Sequence, residues 1–106
     1  MTWNEAIDSF RTYLILEKSL STNSVEAYLN DIRKLGAYCE QRTPTLNPKE
    51  VSYDVLNEYI SALKDTGVTP RTQARSISSI KSFFKYLLYD GAIGLNPANS
   101  LDAPKI

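Results

Sequence analysis

The chain has 106 residues, of which 42% are hydrophobic and 10% aromatic, and its 12 acidic and 12 basic side chains give a formal net charge of +0. This size and composition predict one folded domain with a single core. One cysteine and no histidine exclude an internal disulfide, a multi-cysteine metal site and the commonest general base, so we expect no catalysis, cofactor or metal in this chain alone.

The first two predicted helices start at polar capping residues. Residues 2–5, with the sequence TWNE, form a capping box that opens the first helix, which should end near Lys18. The second helix starts in the polar stretch STNS at residues 21–24 and continues with apolar residues at i, i+3, i+4 and i+7 spacing. It should end near Arg42, because Pro44 follows.

The third and fourth helices have equally clear signals. Ser52 is the predicted cap of the third helix, and Gly67 is its predicted stop. Thr69 caps the fourth helix, with Pro70 at the first helical position, and the pattern continues to Asp90. No segment alternates long enough to indicate a strand.

The predicted fold class is therefore all-α, as a compact four-helix bundle. Gly36 lies inside the second helix, where it costs about 1 kcal/mol relative to alanine and is best tolerated if another helix crosses closely. Residues 93–106 contain two prolines and no periodicity. We predict that residues 1–92 form the domain and that residues 93–106 form a linker leaving it.

The fourth helix carries charge of one sign. All charged residues between positions 66 and 89 are basic, and they give this stretch a charge of +4. The other 8 basic and 12 acidic residues of the chain therefore carry −4. A step of about 100° per residue places one polar stripe opposite one apolar side. The stripe comprises Arg71, Arg75, Ser78, Ser82, Lys85 and Tyr89, with Lys81 on its flank. The predicted core side comprises Ile77, Ile80, Phe83, Phe84, Leu87 and Leu88.

The guanidinium, ammonium and hydroxyl donors of this stripe suit phosphate oxygens and the acceptor atoms of DNA bases. The alternative is an ordinary solvated face, although solvated helices usually mix charges of both signs. The polar start of the second helix also precedes a positive helix end that favours phosphate. For any single one of these residues plain N-capping is the better explanation, and both roles are compatible because capping uses one hydroxyl.

Three stretches together resemble a known family. They are F-x-x-Y-L-x-x-E-K-x-L-S-x-N-S-x-x-x-Y-x-x-D-I (residues 10–32), T-P-R-T-x-x-R-x-I-S-S-I-K-S-F-F-K-Y-L (residues 69–87) and G-A-I-G-L-N-P-A (residues 91–98). In this order and at this spacing, the chain resembles the N-terminal core-binding (SAM-like) domain of tyrosine recombinases, the phage-integrase and Xer group. The resemblance covers essentially the whole chain.

The resemblance implies that this domain forms half of a clamp around double-stranded DNA during DNA integration or recombination, with the second and fourth helices facing the major groove. The implied DNA-binding residues are Thr22, Asn23, Ser24, Tyr28, Lys34, Arg71, Thr72, Arg75, Ser79, Ser82 and Lys85. The first helix of the family meets a sister protomer in a synaptic tetramer, which makes Trp3, Ile7 and the exposed side of the first helix interface candidates.

The resemblance also places the family's catalytic arginines, lysine, histidines and tyrosine nucleophile in a second domain that this chain does not contain. None of the seven tyrosines here is therefore assigned a catalytic role. The parent protein would cut one strand through a phosphotyrosyl link and rejoin it without a nucleotide cofactor. Because this chain is neutral, whereas such domains are often basic, we expect weak and largely non-specific binding by the domain alone.

Two other functions are open from the residues alone. The same bundle fits a helical protein-interaction module that makes no DNA contact, and a free-standing enzyme is disfavoured by the missing histidine. No run of about 18 apolar residues occurs to span a membrane. The first ten residues lack the features of a signal peptide, so we expect a cytoplasmic protein with neither a membrane nor a small molecule as partner.

Overall fold

A computed structural model describes residues 1–101. It contains four α-helices, with a short 3-10 turn between the second and third. The helices are α1 (Trp3–Leu16), α2 (Thr22–Arg42), α3 (Tyr53–Asp65) and α4 (Pro70–Tyr89), and the 3-10 turn is Pro48–Glu50. Over the described range there is no strand, and no helix is both long and apolar enough to cross a bilayer. The predicted all-α, four-helix architecture is confirmed.

The helices start where local side-chain chemistry predicts. Thr2 and Glu5 form the complete capping box of α1: the Thr2 hydroxyl accepts from the Glu5 amide at 3.1 Å, and the Glu5 carboxylate accepts from the Thr2 amide at 2.8 Å. Ser21, Ser52 and Thr69 cap α2, α3 and α4, each accepting from the amide three residues later. These hydroxyls satisfy backbone donors that would otherwise lack partners at the helix starts.

Helix α2 lies at the centre of the packing, in contact with α1, α3 and α4. The aromatic part of the core joins α1 to α4, where the Phe10 and Phe83 rings meet edge to face at 5.3 Å. The Trp3 ring packs directly on Gly36 of α2. The contact is so close that a Cβ atom at position 36 would lie 3.0 Å from the ring. The group that packs closely on Gly36 is thus the indole of Trp3, the first residue of α1, and not the backbone of a crossing helix.

Two predictions about exposed and buried side chains are wrong. Trp3 and Ile7 are buried in the core, so neither is available to a sister protomer. The Trp3 indole N–H also donates to the Leu46 carbonyl at 3.0 Å. Leu88, predicted for the core, is 41% exposed, whereas Leu87, its neighbour in the same helical turn, is buried.

Part of the predicted linker packs on the bundle. Ala98 and Leu101 are buried, and the Lys81 ammonium group donates to the Leu101 carbonyl at 2.8 Å. The packed body thus continues past the predicted boundary at residue 92, at least to Leu101. Residues 102–106, the remainder of that predicted linker, lie outside the described residues.

Candidate nucleic-acid interface

Helix α4 separates polar and apolar residues onto opposite sides. Its buried side consists of Ser76, Ile77, Ser79, Ile80, Phe83, Phe84 and Leu87. Its exposed side, which we call the basic face, consists of Arg71, Arg75, Ser78, Ser82 and Lys85, with Ser82 half-buried. The predicted stripe therefore exists, and Tyr89 extends it as an exposed side chain.

Most of the positive charge beside this face is not neutralised. Lys34, Arg71 and Lys85 make no ion pair with any carboxylate of residues 1–101. Helices α2 and α4 also have no acidic residue in their first turns, whereas α1 has Glu5 and α3 has Asp54 there. The positive dipole ends of α2 and α4 are thus left uncompensated, which favours an anionic ligand beside them.

Arg75 is different, because it is held by a carboxylate from α2. Its Nε donates to Asp31 Oδ2 and its Nη2 donates to Asp31 Oδ1, both at 3.0 Å. Asp31 is only 2% exposed, whereas the Arg75 side chain is 42% exposed. The hydrogen bonds to Asp31 raise the pKa of the Arg75 guanidinium. This ion pair joins α2 to α4 and fixes the orientation of Arg75 at the surface.

Two serines of α4 complete the surroundings of the carboxylate. The Ser79 hydroxyl donates to Asp31 Oδ2 at 2.7 Å, and the Ser76 hydroxyl lies 3.5 Å from Oδ1. Ser79 is fully buried. The expectation that Ser79 faces DNA is therefore corrected, since its side chain points towards α2 and supports Asp31.

The first turn of α2 presents a mixture of free and engaged polar groups. Thr22 and Asn23 are exposed. Ser24 is half-buried, and its Oγ accepts from the Ser21 hydroxyl at 3.1 Å. Ser21 is thus the capping residue, which leaves the Thr22 and Asn23 side chains accessible to a ligand.

The remaining predicted residues lie nearer the middle of the two helices. Tyr28 and Lys34 are three residues before and after Asp31, so they flank it on the same side of α2. Tyr28 is half-buried and Lys34 is exposed. On α4, half-buried Thr72 accepts through its hydroxyl from Thr69 at 3.1 Å. Tyr28 and Lys34 therefore lie on the side of α2 that carries Asp31, the partner of Arg75.

Asp31 itself was not predicted, although the sequence contained a signal for it. It follows Tyr28 by three residues and precedes Leu35 by four, and both of those belong to the apolar pattern of α2. A carboxylate at such a position is buried, so it requires a positively charged or hydrogen-bonding partner. Arg75, on the helix without acidic residues, is that partner.

Comparison with known proteins matches most of the chain to one family. Residues 7–91 match the family model described as phage integrase, N-terminal SAM-like domain. Tyrosine recombinase XerD of Listeria innocua is 32% identical over 102 residues, which cover 96% of this chain and 34% of the relative. Tyrosine recombinase XerC of a Mycobacterium species (strain KMS) is 35% identical over 99 residues, which cover 93% of this chain and 33% of the relative.

The similarity is confined to one part of each relative. Tyrosine recombinase XerD of Pseudomonas aeruginosa, for example, is 32% identical over 100 residues, which cover 94% of this chain and 33% of the relative. This chain thus spans about a third of the length of the curated relatives it matches. No solved structure matches it. The chain belongs to the phage integrase N-terminal SAM-like domain family.

Proposed function

We propose that this chain is the DNA-binding domain of a site-specific tyrosine recombinase, and that it holds duplex DNA with α2 and α4 while a separate domain cuts and rejoins the strand. The observation that carries the proposal is the exposed basic face of α4, next to α2, in a chain whose relatives are named tyrosine recombinases. The chain's own part is non-catalytic, because it corresponds to only the N-terminal third of those relatives.

The proposed interface follows from exposure and charge. It comprises Thr22, Asn23, Ser24, Tyr28, Lys34, Arg71, Thr72, Arg75, Ser82 and Lys85, and it leaves out the buried Ser79. Helix α4 has 20 residues, so at about 1.5 Å per residue it is about 30 Å long. A helix of that length fits along a major groove about 12 Å wide. Lys34, Arg71 and Lys85 have no carboxylate partner among residues 1–101 and suit phosphate contacts.

We also propose two connections to the rest of a recombinase. The segment that begins at residue 93 packs on the bundle at Ala98 and Leu101 and continues towards the catalytic domain. Sister protomers in a synaptic tetramer would meet the exposed apolar end of α1, where Ile15 and Leu16 are accessible, instead of the buried Trp3 and Ile7. Exposed apolar side chains on a domain of this size are suited to such contacts.

A salt-dependent titration of a labelled duplex tests DNA binding. Each phosphate contact contributes about −0.9 to the slope of log affinity against log salt. Contacts from Lys34, Arg71 and Lys85 therefore predict about a fortyfold loss of affinity between about 50 and about 200 mM salt. A helical protein-interaction module without DNA contact would show no binding in this titration.

Charge reversal tests whether DNA contacts the basic face of α4. The double variant Arg71→Glu/Lys85→Glu should abolish measurable binding, because two phosphate contacts become repulsions. The matched control Lys49→Glu/Lys64→Glu changes the net charge equally, at exposed positions outside α2 and α4, and should retain most of the binding. Arg75→Glu is unsuitable because it would place a second carboxylate against buried Asp31. Equal losses in the two double variants would contradict the assignment of α4.

A further inference from the structure

The Arg75 guanidinium keeps one pair of donors free, in a fixed orientation. A guanidinium carries a single N–H on Nε and two on each Nη atom, in one plane. Asp31 takes the Nε–H and one N–H of Nη2. The remaining N–H groups of Nη1 and Nη2 lie on the outer edge of the plane, and the side chain is 42% exposed. That edge is a two-pronged donor directed away from α2.

The orientation of this edge is set by the fold and not by a ligand. Asp31 is buried in α2 and is held by the Ser79 hydroxyl at 2.7 Å. The Ser79 hydroxyl has a single hydrogen, which it donates to the carboxylate and so ties Asp31 to α4; the Arg75 carbonyl, 3.0 Å away, is the alternative acceptor for that hydrogen. A ligand that meets Arg75 therefore needs to order little of the side chain, which favours geometric selectivity.

The charge of the pair argues against a simple phosphate contact. Asp31 and Arg75 together carry no net charge, whereas Arg71 and Lys85 each keep a full positive charge. Attraction to phosphate depends on net charge, and the nearby carboxylate opposes it. A bidentate hydrogen bond to two neutral acceptors depends mainly on direction. Guanine presents such a pair, O6 and N7, in the major groove.

We propose that Arg75, positioned by Asp31, is a base-reading residue that donates from Nη1 and Nη2 to O6 and N7 of a guanine, while Arg71 and Lys85 contact phosphates. This assignment rests on the proposed DNA-binding function. In this assignment the neutral Asp31–Arg75 pair gives sequence preference through the direction of its hydrogen bonds. The positively charged Arg71 and Lys85 give affinity. Asp31 acts through Arg75 and is a positioning residue.

Selection from a randomised duplex library by the 106-residue chain tests this directly. The wild-type chain should enrich a guanine at one position. Arg75→Lys keeps the charge but lacks the planar donor pair, so it should lose that guanine while its affinity for unselected duplex stays within about threefold. The matched control Arg71→Lys alters a phosphate contact and should retain the guanine.

Asp31→Asn gives a result that a merely structural role does not predict. It removes a negative charge beside the DNA, so binding to unselected duplex should become tighter while the guanine preference falls. Thermal unfolding by circular dichroism verifies that each variant is folded at the temperature of the selection. Ser79→Ala, a milder change that loosens Asp31, should weaken the preference partially and serves if Asp31→Asn is unfolded.

Replacing the enriched guanine by 7-deazaguanine removes the N7 acceptor. This should cost the wild-type chain about fivefold or more in affinity and cost Arg75→Lys little. Duplex binding without an enriched guanine, or a guanine that survives in Arg75→Lys, overturns the base-reading role and leaves the proposed function intact. Absence of any binding to duplex by the wild-type chain overturns both.

Discussion

The Asp31–Arg75 pair should respond unequally to loss of its two ends. Asp31 is 2% exposed and the Arg75 side chain is 42% exposed. Arg75→Met leaves a carboxylate inside the bundle with only serine donors, and we expect a loss of about 3 kcal/mol in the free energy of unfolding. Asp31→Asn leaves a guanidinium that can turn into water and an amide oxygen that still accepts from Ser79. Its expected cost is about 1–2 kcal/mol.

Urea denaturation followed by circular dichroism and Trp3 fluorescence measures both changes. With a denaturant slope of about 1–1.5 kcal/mol per molar, Arg75→Met should lower the urea midpoint by about 2–3 M. The double variant Asp31→Leu/Arg75→Met removes both charges and should return to within about 1 kcal/mol of the wild type. Ser79 remains satisfied there, because it can donate to the carbonyl of residue 75.

Two results would contradict the expected asymmetry of the pair: Arg75→Met destabilises no more than Asp31→Asn, or the double variant is no more stable than Arg75→Met alone. Either result would mean that the buried carboxylate does not require its arginine partner.

Three further experiments test the packing of the core and of the C-terminal segment. Burial raises the pKa of Cys39 to about 11, so the thiol stays protonated at neutral pH, and alkylation by iodoacetamide should be at least about tenfold slower in the native chain than in urea. Gly36→Ala gains about 1 kcal/mol of helix propensity but places a methyl group 3.0 Å from the Trp3 ring. Since overpacking costs about 1–3 kcal/mol, the urea midpoint should fall, and a higher midpoint would show that the ring moves freely. Leu101→Ala should cost about 2 kcal/mol because Leu101 is 6% exposed, whereas Leu95→Ala, at 87% exposure, should be neutral; equal effects would contradict the docking of the C-terminal segment.

Features set by short-range chemistry were predictable from the sequence. The capping residues Thr2, Ser21, Ser52 and Thr69 act on amides three residues away, so local pattern suffices to place the helix starts. The basic face follows from the angular step of a helix alone. Its presence on α4 required no knowledge of how the helices pack.

Features that depend on the packing of distant segments were missed. Asp31 and Arg75 are 44 residues apart, and their pairing exists only because α2 lies against α4. Ser79 was assigned to the DNA by the family resemblance, although the helix step of about 100° from exposed Ser78 already turns its side chain into the bundle. Ala98 is buried through tertiary contact in a segment that has no periodic pattern.

Amide chemical-shift mapping by NMR, with duplex DNA added to the labelled chain, tests the central claim most directly. We predict that the largest shifts fall in the first turn of α2, at Thr22 and Asn23, and along the basic face at Arg71, Arg75 and Lys85. Exposed amides of α3 should stay unchanged. Shifts centred on α1 or α3, with the basic face unaffected, would contradict the account.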